Sequence, residues 1–180
     1  LRPQVRPVAG DLIRHLAARH GDRELAVLGD RRLTYAEADR QSAALAKGLL
    51  ASGMGKGARL GLLAPNGPDW IVTWLAGSRI GAVVTLLNTY APPPELDRAL
   101  RHADTAVLVT VATHRGHDVL ERLALAVEGI VDQPQERIRA RSHPYLRAVW
   151  VLGDAERPWA GAVGDLVARG ADIDDALLRA

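Results

Sequence analysis

Apolar residues fall into two patterns along this chain. In some stretches they recur three and four apart, which marks one face of a helix. In others they form short unbroken runs, which marks strands buried on both sides. Asp11 to His20 is the first helical stretch, with Leu12, Ile13, Leu16 and Ala17 on one face. Asp11 is placed to cap its start, and Gly21 suits a left-handed residue at its end. Leu25 to Leu28 and Arg31 to Leu33 flank Gly29-Asp30, which predicts a hairpin. Thr34-Tyr35-Ala36-Glu37 fits a capping box, in which the Thr34 hydroxyl accepts the Glu37 amide and the Glu37 carboxylate reaches back. The helix it opens turns Ala38, Leu45 and Leu49 inward and stops at Gly53.

A strand–helix alternation follows. Arg59 to Leu63 is a strand, Pro65-Asn66-Gly67-Pro68 a break, and Asp69 to Ile80 a helix ended by Gly81. Trp70 and Trp74, four apart on that helix, read as core packing. Ala82 to Leu87 is a strand, Pro93 to Ala103 a helix with proline in its first turn, and Ala106 to Thr110 a strand. Beyond it come a helix over Val119 to Val127, a loop over Asp132 to Pro144, and a strand over Ala148 to Leu152. A helix over Ala162 to Ala168 follows, then the beginning of another over Asp172 to Ala180. Short apolar strands alternating with helices of about a dozen residues predict an α/β fold. The expected form is a doubly wound, mostly parallel sheet with helices on both faces, incomplete, with a short N-terminal β-hairpin and right-handed crossovers.

Composition narrows the function classes. Of 180 residues, 48% are hydrophobic and 24% charged, enough for a packed core and against wholesale disorder. There is no cysteine, which excludes a disulfide framework and a thiolate zinc site. The longest stretch without a charge, Ile80 to Pro94, is shorter than the roughly 20 apolar residues of a membrane span. No secretory signal pattern is visible, so the expected compartment is the cytoplasm. The formal net charge is +2, and the signs are interleaved almost everywhere, which argues against a nucleic-acid partner. The 21 arginines against two lysines, with no phenylalanine, reflect codon bias rather than chemistry.

Several segments resemble functional motifs and fail on physical grounds. Gly53-Met54-Gly55-Lys56-Gly57 follows a helix and precedes a strand, the reverse of a phosphate loop, so it reads as a helix C-cap and turn. His114-Arg115-Gly116-His117-Asp118 offers two imidazoles and a carboxylate to a metal, but it reads better as a loop whose Asp118 caps the next helix. Asp172-Ile173-Asp174-Asp175 lacks the glycine and glutamate of a calcium loop and reads as helix capping. Arg137, Arg139, Arg141 and Arg147 form the only local basic run, and without an aromatic platform this reads as a solvated, mobile loop. No nucleophile elbow or nucleophile–base pair is present, so no catalytic, cofactor-binding or metal residue is assigned to this chain.

Three segments taken in order resemble a known superfamily. Leu33-Thr34-Tyr35-Ala36-Glu37 resembles the first signature of the AMP-forming adenylate enzymes, which include acyl-CoA synthetases, adenylation domains and luciferases. Gly57 to Trp70, with Pro65-Asn66, resembles the strand, loop and helix that follow it, and Arg79 to Glu95-Leu96 resembles the second signature. The resemblance covers about residues 10 to 110. It departs at Ala38, where leucine is usual, and at Leu86, where proline is usual.

This resemblance implies that residues 1–180 are the N-terminal portion of a large AMP-binding domain. The family's phosphate loop, its adenine and ribose motifs and its C-terminal lysine domain would lie beyond Ala180, and the start at Leu1 rather than Met points the same way. The parent is expected to be an acyl-CoA synthetase using ATP, Mg2+ and CoA, with none of these bound by this chain alone. Its expected partners are a carboxylic acid, CoA and the rest of its own domain. Asn88 favours the acyl-CoA ligases, because amino-acid adenylation domains usually carry aspartate there. The alternatives are a fragment of an amino-acid adenylation domain and a non-catalytic α/β interaction module.

Overall fold

The computed structural model describes residues 8–135 and 137–178. In chain order its elements begin with α1 (Ala9–His20), β1 (Glu24–Leu28), β2 (Arg31–Thr34), α2 (Tyr35–Ala51), β3 (Arg59–Leu63) and α3 (Pro68–Arg79). Next come β4 (Val83–Leu86), α4 (Pro93–His102), β5 (Val107–Val111), β6 (Thr113–His114), β7 (His117–Asp118) and α5 (Val119–Ala126). Last are β8 (Ala148–Leu152), β9 (Gly161–Ala162) and α6 (Val163–Arg169). Short 3-10 turns occupy Ile130–Asp132 and Asp175–Leu178. The chain divides into two compact units.

The first unit gathers the chain up to Gly57 with Asn66–Ala82 and the stretch from Val167. Here α1, α2 and α3 pack on one another and the β1–β2 hairpin lies against α2 and α3. The hairpin turns at Gly29, whose φ of 57° suits glycine. The capping box forms as expected. The Glu37 amide donates to Thr34 Oγ1 (3.2 Å) and the Thr34 amide donates to Glu37 Oε2 (2.9 Å). These bonds hold the Glu37 carboxyl below the ordinary carboxylate range.

Three expectations for α1 change. The helix starts earlier, with Val8 at the N-cap and no side-chain cap. Asp11 lies inside the first turn and pairs with Arg14 (2.5 Å). The inward arc carries Gly10 and Ile13, leaving Leu12, one residue and about 100° away, half exposed. Gly21 is right-handed (φ −40°), because the chain turns straight into the hairpin and the Gly21 carbonyl accepts the Ala36 amide (3.0 Å).

The tryptophan pair also departs from expectation. α3 buries Val72, Thr73, Leu75, Ala76 and Gly77, while Trp70 is half-buried and Trp74 exposed. Small residues let helices approach closely, and the wide indoles fall outside that seam. The fully buried tryptophans are Trp150 and Trp159, in the other unit.

The second unit comprises Ala58–Pro65 and Val83–Leu166. Its five-stranded sheet has the order β4-β3-β5-β8-β9, and every adjacent pair is parallel. The order reverses direction between β3 and β5, as a doubly wound sheet requires. Strands β3, β5 and β8 are buried runs, as their sequences predict. β4 is an edge strand and leaves Val83 and Leu86 about half exposed, so burial on both sides does not extend to it. The core is built from Leu63, Leu108, Val149 and Val151 of the sheet with Leu96 and Leu100 of α4, Leu120 and Leu123 of α5, and Trp159.

The described residues of the Asp132–Pro144 stretch are not solvated throughout. Its arginines point outward while Ile138, Ala140 and His143 are buried, and the Ile138 amide donates to the Arg147 carbonyl (3.1 Å). At the chain end the expected helix is the short 3-10 turn. The Asp174 carboxylate accepts the Ala176 amide (2.9 Å), and Arg179 and Ala180 lie outside the described residues.

Candidate functional site

In an open parallel sheet, ligands bind outside the carboxyl ends of the strands where the winding reverses. In the second unit that place is the end of β3 and β5, flanked by the segment after β4. β3 and β5 are tied there by the Thr110 hydroxyl, which donates to the Leu63 carbonyl (3.0 Å).

The segment after β4 is shaped by Asn88, whose Oδ1 accepts the Tyr90 amide (3.0 Å). This turn presents the Tyr90 ring, 54% exposed, beyond the sheet edge. After β5 the chain makes the small β6–β7 hairpin, turning through Arg115 and Gly116, both at positive φ (48° and 79°). His114 at its base meets Tyr90. The phenolic oxygen and Nε2 are 3.2 Å apart and the ring centroids 5.4 Å apart. Arg122 of α5 donates through Nη2 to the Thr89 carbonyl (2.7 Å) and through Nη1 to the Ala91 carbonyl (3.2 Å), which pins this segment to the helix. Its buried Nε has no partner among the described residues. Asp118 caps α5 by accepting the Glu121 amide (2.8 Å) and pairs with Arg157 (2.8 Å).

These groups hydrogen-bond and orient; none is a nucleophile set against a base. The metal reading of His114, His117 and Asp118 does not hold: His114 is engaged by Tyr90, and Asp118 by the helix start and Arg157. Among the described residues no group of three His, Asp or Glu is arranged to hold a metal ion. Gly53 caps α2 at φ 84°, its amide donating to the Leu50 carbonyl (2.9 Å), so the glycine run is a helix end.

A second concavity, of about 210 Å3, lies at the opposite, amino end of β5, lined by Leu100, Thr105, His143 and Leu146 among others. His143 is buried there, with Nε2 3.6 Å from Asp97 Oδ1 and Nδ1 3.0 Å from Ser142 Oγ. Desolvation pushes its pKa down, against the pull of Asp97. This places it as a buried anchor of the loop on α4.

Sequence reasoning missed the Tyr90–His114 pair, Arg122 and the Asp97–His143 contact. Tyr90 stands two residues after Asn88, so the turn that presents it was visible. Partners 24 and 33 residues away along the chain were not.

Comparison with known proteins defines the class. The family model described as AMP-binding enzyme matches residues 13–171. The chain belongs to this family of AMP-binding enzymes. It is 29% identical over 171 residues to the medium-chain acyl-CoA ligase ACSF2, mitochondrial, of Mus musculus, covering 92% of this chain and 27% of that protein. It is 42% identical over 86 residues to the feruloyl-CoA synthase of an Amycolatopsis species, covering 48% of this chain and 18% of that one. The crystal structure of the anthranilate CoA ligase AuaEII in complex with anthranoyl-AMP superposes with a TM-score of 0.73 at 19% identity, covering 92% of this chain and 28% of that one. That likeness shows the fold. The chain spans about a quarter or less of the length of the curated relatives it matches.

Proposed function

We propose that residues 1–180 are the N-terminal portion of the large domain of an acyl-CoA synthetase, and that they form one wall of its active-site cleft. The observation that carries this reading is the family match over nearly the whole chain, with relatives named as carboxylate–CoA ligases. A carboxylate is a poor electrophile. Its attack on the α-phosphorus of ATP releases pyrophosphate and gives an acyl-adenylate, whose carbonyl the CoA thiol then attacks with AMP departing. Charge builds on phosphoryl and carbonyl oxygens in both steps and needs preorganised donors. This chain contributes orientation: the turn at Asn88, the Tyr90–His114 pair and the Arg122 clamp shape the rim at the carboxyl ends of β3, β4 and β5. The reacting groups belong to other segments, and the reaction belongs in the cytoplasm, where ATP and CoA are available.

ATP–pyrophosphate exchange with a panel of aliphatic, aromatic and amino acids tests this reading. The chain alone should give no exchange. A longer protein carrying this segment should exchange with carboxylic acids and, given CoA, form acyl-CoA and AMP. Turnover by residues 1–180 alone overturns the assignment of the reacting groups, and exchange with amino acids alone overturns the acyl-CoA reading.

A further inference from the structure

The concavity of about 210 Å3 at the amino end of β5 lies wholly within the second unit. Leu100, in the last turn of α4, and Leu146, just before β8, are both buried and give it aliphatic walls. Thr105 stands in the same wall, only 2% exposed. Its methyl carbon faces β3, where a Cβ on Gly61 would lie 2.9 Å from Cγ2, so the hydroxyl takes the other branch. Thr105 Oγ1 is buried and has no hydrogen-bond partner among the described residues. A buried hydroxyl left unpaired is costly, which makes it a donor waiting for an acceptor.

The other polar groups around the concavity are engaged. His143 Nδ1 lies 3.0 Å from Ser142 Oγ, and Nε2 lies 3.4 Å from the Asp97 carbonyl oxygen. Arg101 pairs with Asp97 (2.6 Å), and Asp104 sits 3.9 Å from Arg59 Nε. Each charge therefore has a partner of opposite sign, and an ionic ligand gains little. A water molecule needs two to four polar partners, more than one hydroxyl between leucines supplies. Cavities of about 150 Å3 admit benzene, so this one takes a ring with a small substituent, roughly eight or nine non-hydrogen atoms. Tyr145, half exposed on the lining, offers an aromatic edge or face to such a ring. We propose that this concavity binds a small neutral aromatic molecule carrying a hydrogen-bond acceptor, such as an aryl ketone or aryl ester. The acceptor takes the Thr105 hydroxyl proton and the ring packs on Leu100, Leu146 and Tyr145. The site is separate from the proposed reaction, because it lies at the other end of β5 from the Tyr90 rim and binding needs no turnover.

Titration of the full chain with acetophenone, followed by backbone amide chemical shifts, tests the proposal. The shifts should saturate with a Kd below about 1 mM and map to residues 100–105 and 142–146. Thr105→Val keeps the shape and removes the donor, and should weaken acetophenone binding by roughly five- to tenfold. Toluene has no acceptor and should bind the wild type and Thr105→Val alike. Tyr145→Ala should weaken both ligands several-fold. Thr105→Val should melt no lower than the wild type, because its hydroxyl has no partner to lose. Shifts that do not saturate by about 10 mM, or that map elsewhere, overturn the proposal. So does equal affinity of acetophenone for the wild type and Thr105→Val, or an equal loss of toluene. A lower melting temperature for Thr105→Val overturns it as well, since the hydroxyl would then be paired within the fold.

Discussion

Arg79 at the end of α3 is a cation whose side chain is only 2% exposed. Its Nε donates to Ser42 Oγ (3.0 Å), and its Nη2 donates to the Asp39 carbonyl (3.1 Å) and pairs with the Asp39 carboxylate. Arg79→Met keeps most of the stem volume and removes every donor. Hydrogen bonds to charged groups contribute about 1.5–3 kcal/mol and neutral ones about 1 kcal/mol. The Asp39 side chain is 28% exposed and regains water when its partner goes, so the full penalty of a stranded buried charge does not apply. The loss should therefore be about 3 kcal/mol for Arg79→Met and about 2 kcal/mol for Asp39→Asn. In a chain of this size 3 kcal/mol is a fall in Tm of roughly 6–12 °C. Urea unfolding of the two single variants and the double variant completes the cycle. The coupling energy should be about 2 kcal/mol, above the 0.2–1 kcal/mol of exposed pairs. A coupling below about 0.5 kcal/mol would refute the reasoning, because the pair would then behave as a solvated one.

Four further outcomes follow from other sites. A Cβ on Gly170 would lie 2.4 Å from the Gly48 amide nitrogen and 2.6 Å from the Lys47 carbonyl carbon, both backbone, so Gly170→Ala should lower stability by at least about 2 kcal/mol in denaturant melts. Gly129→Ala, at φ 75° with open space around it, should lose only the about 1–2 kcal/mol of a left-handed alanine. Thr34→Ala removes the capping box and should lose about 1 kcal/mol by the same measurement, with Thr34→Ser restoring most of it. His143 has a folded pKa below its unfolded value near 6.5, so the unfolded chain binds the extra proton. Its contribution is complete above about pH 6.5 and is lost as the pH falls below that. Asp97 opposes this shift and Arg101 reinforces it. Stability measured from pH 7.5 to 5 should decline on acidification, and His143→Gln should flatten the decline.

Local patterns carried most of the secondary structure because the forces involved act over one turn or one pleat. The Thr34–Glu37 box, the Gly29-Asp30 turn, the Asp118 cap and the limits of β3 and β8 all depend on residues within four positions of each other. The family was legible for the same reason, since its signatures here are mostly caps, turns and strand ends. Packing was less legible. A helical period says that Trp70 and Trp74 share a face but not that the seam of α3 runs through Ala76 and Gly77.

What the amino-acid sequence determined by itself is the order of elements, the α/β class and kinship with the AMP-binding enzymes, because these rest on short-range periodicity and punctuation. Only the tertiary structure decided that β4 is an edge strand and that Ile138 of the Arg137–Arg141 stretch is buried. It alone brought Tyr90 to His114 and Arg122 to Thr89. Each of these joins residues far apart in the chain, and such contacts are chosen by how apolar surfaces and unpaired polar groups are satisfied together in three dimensions.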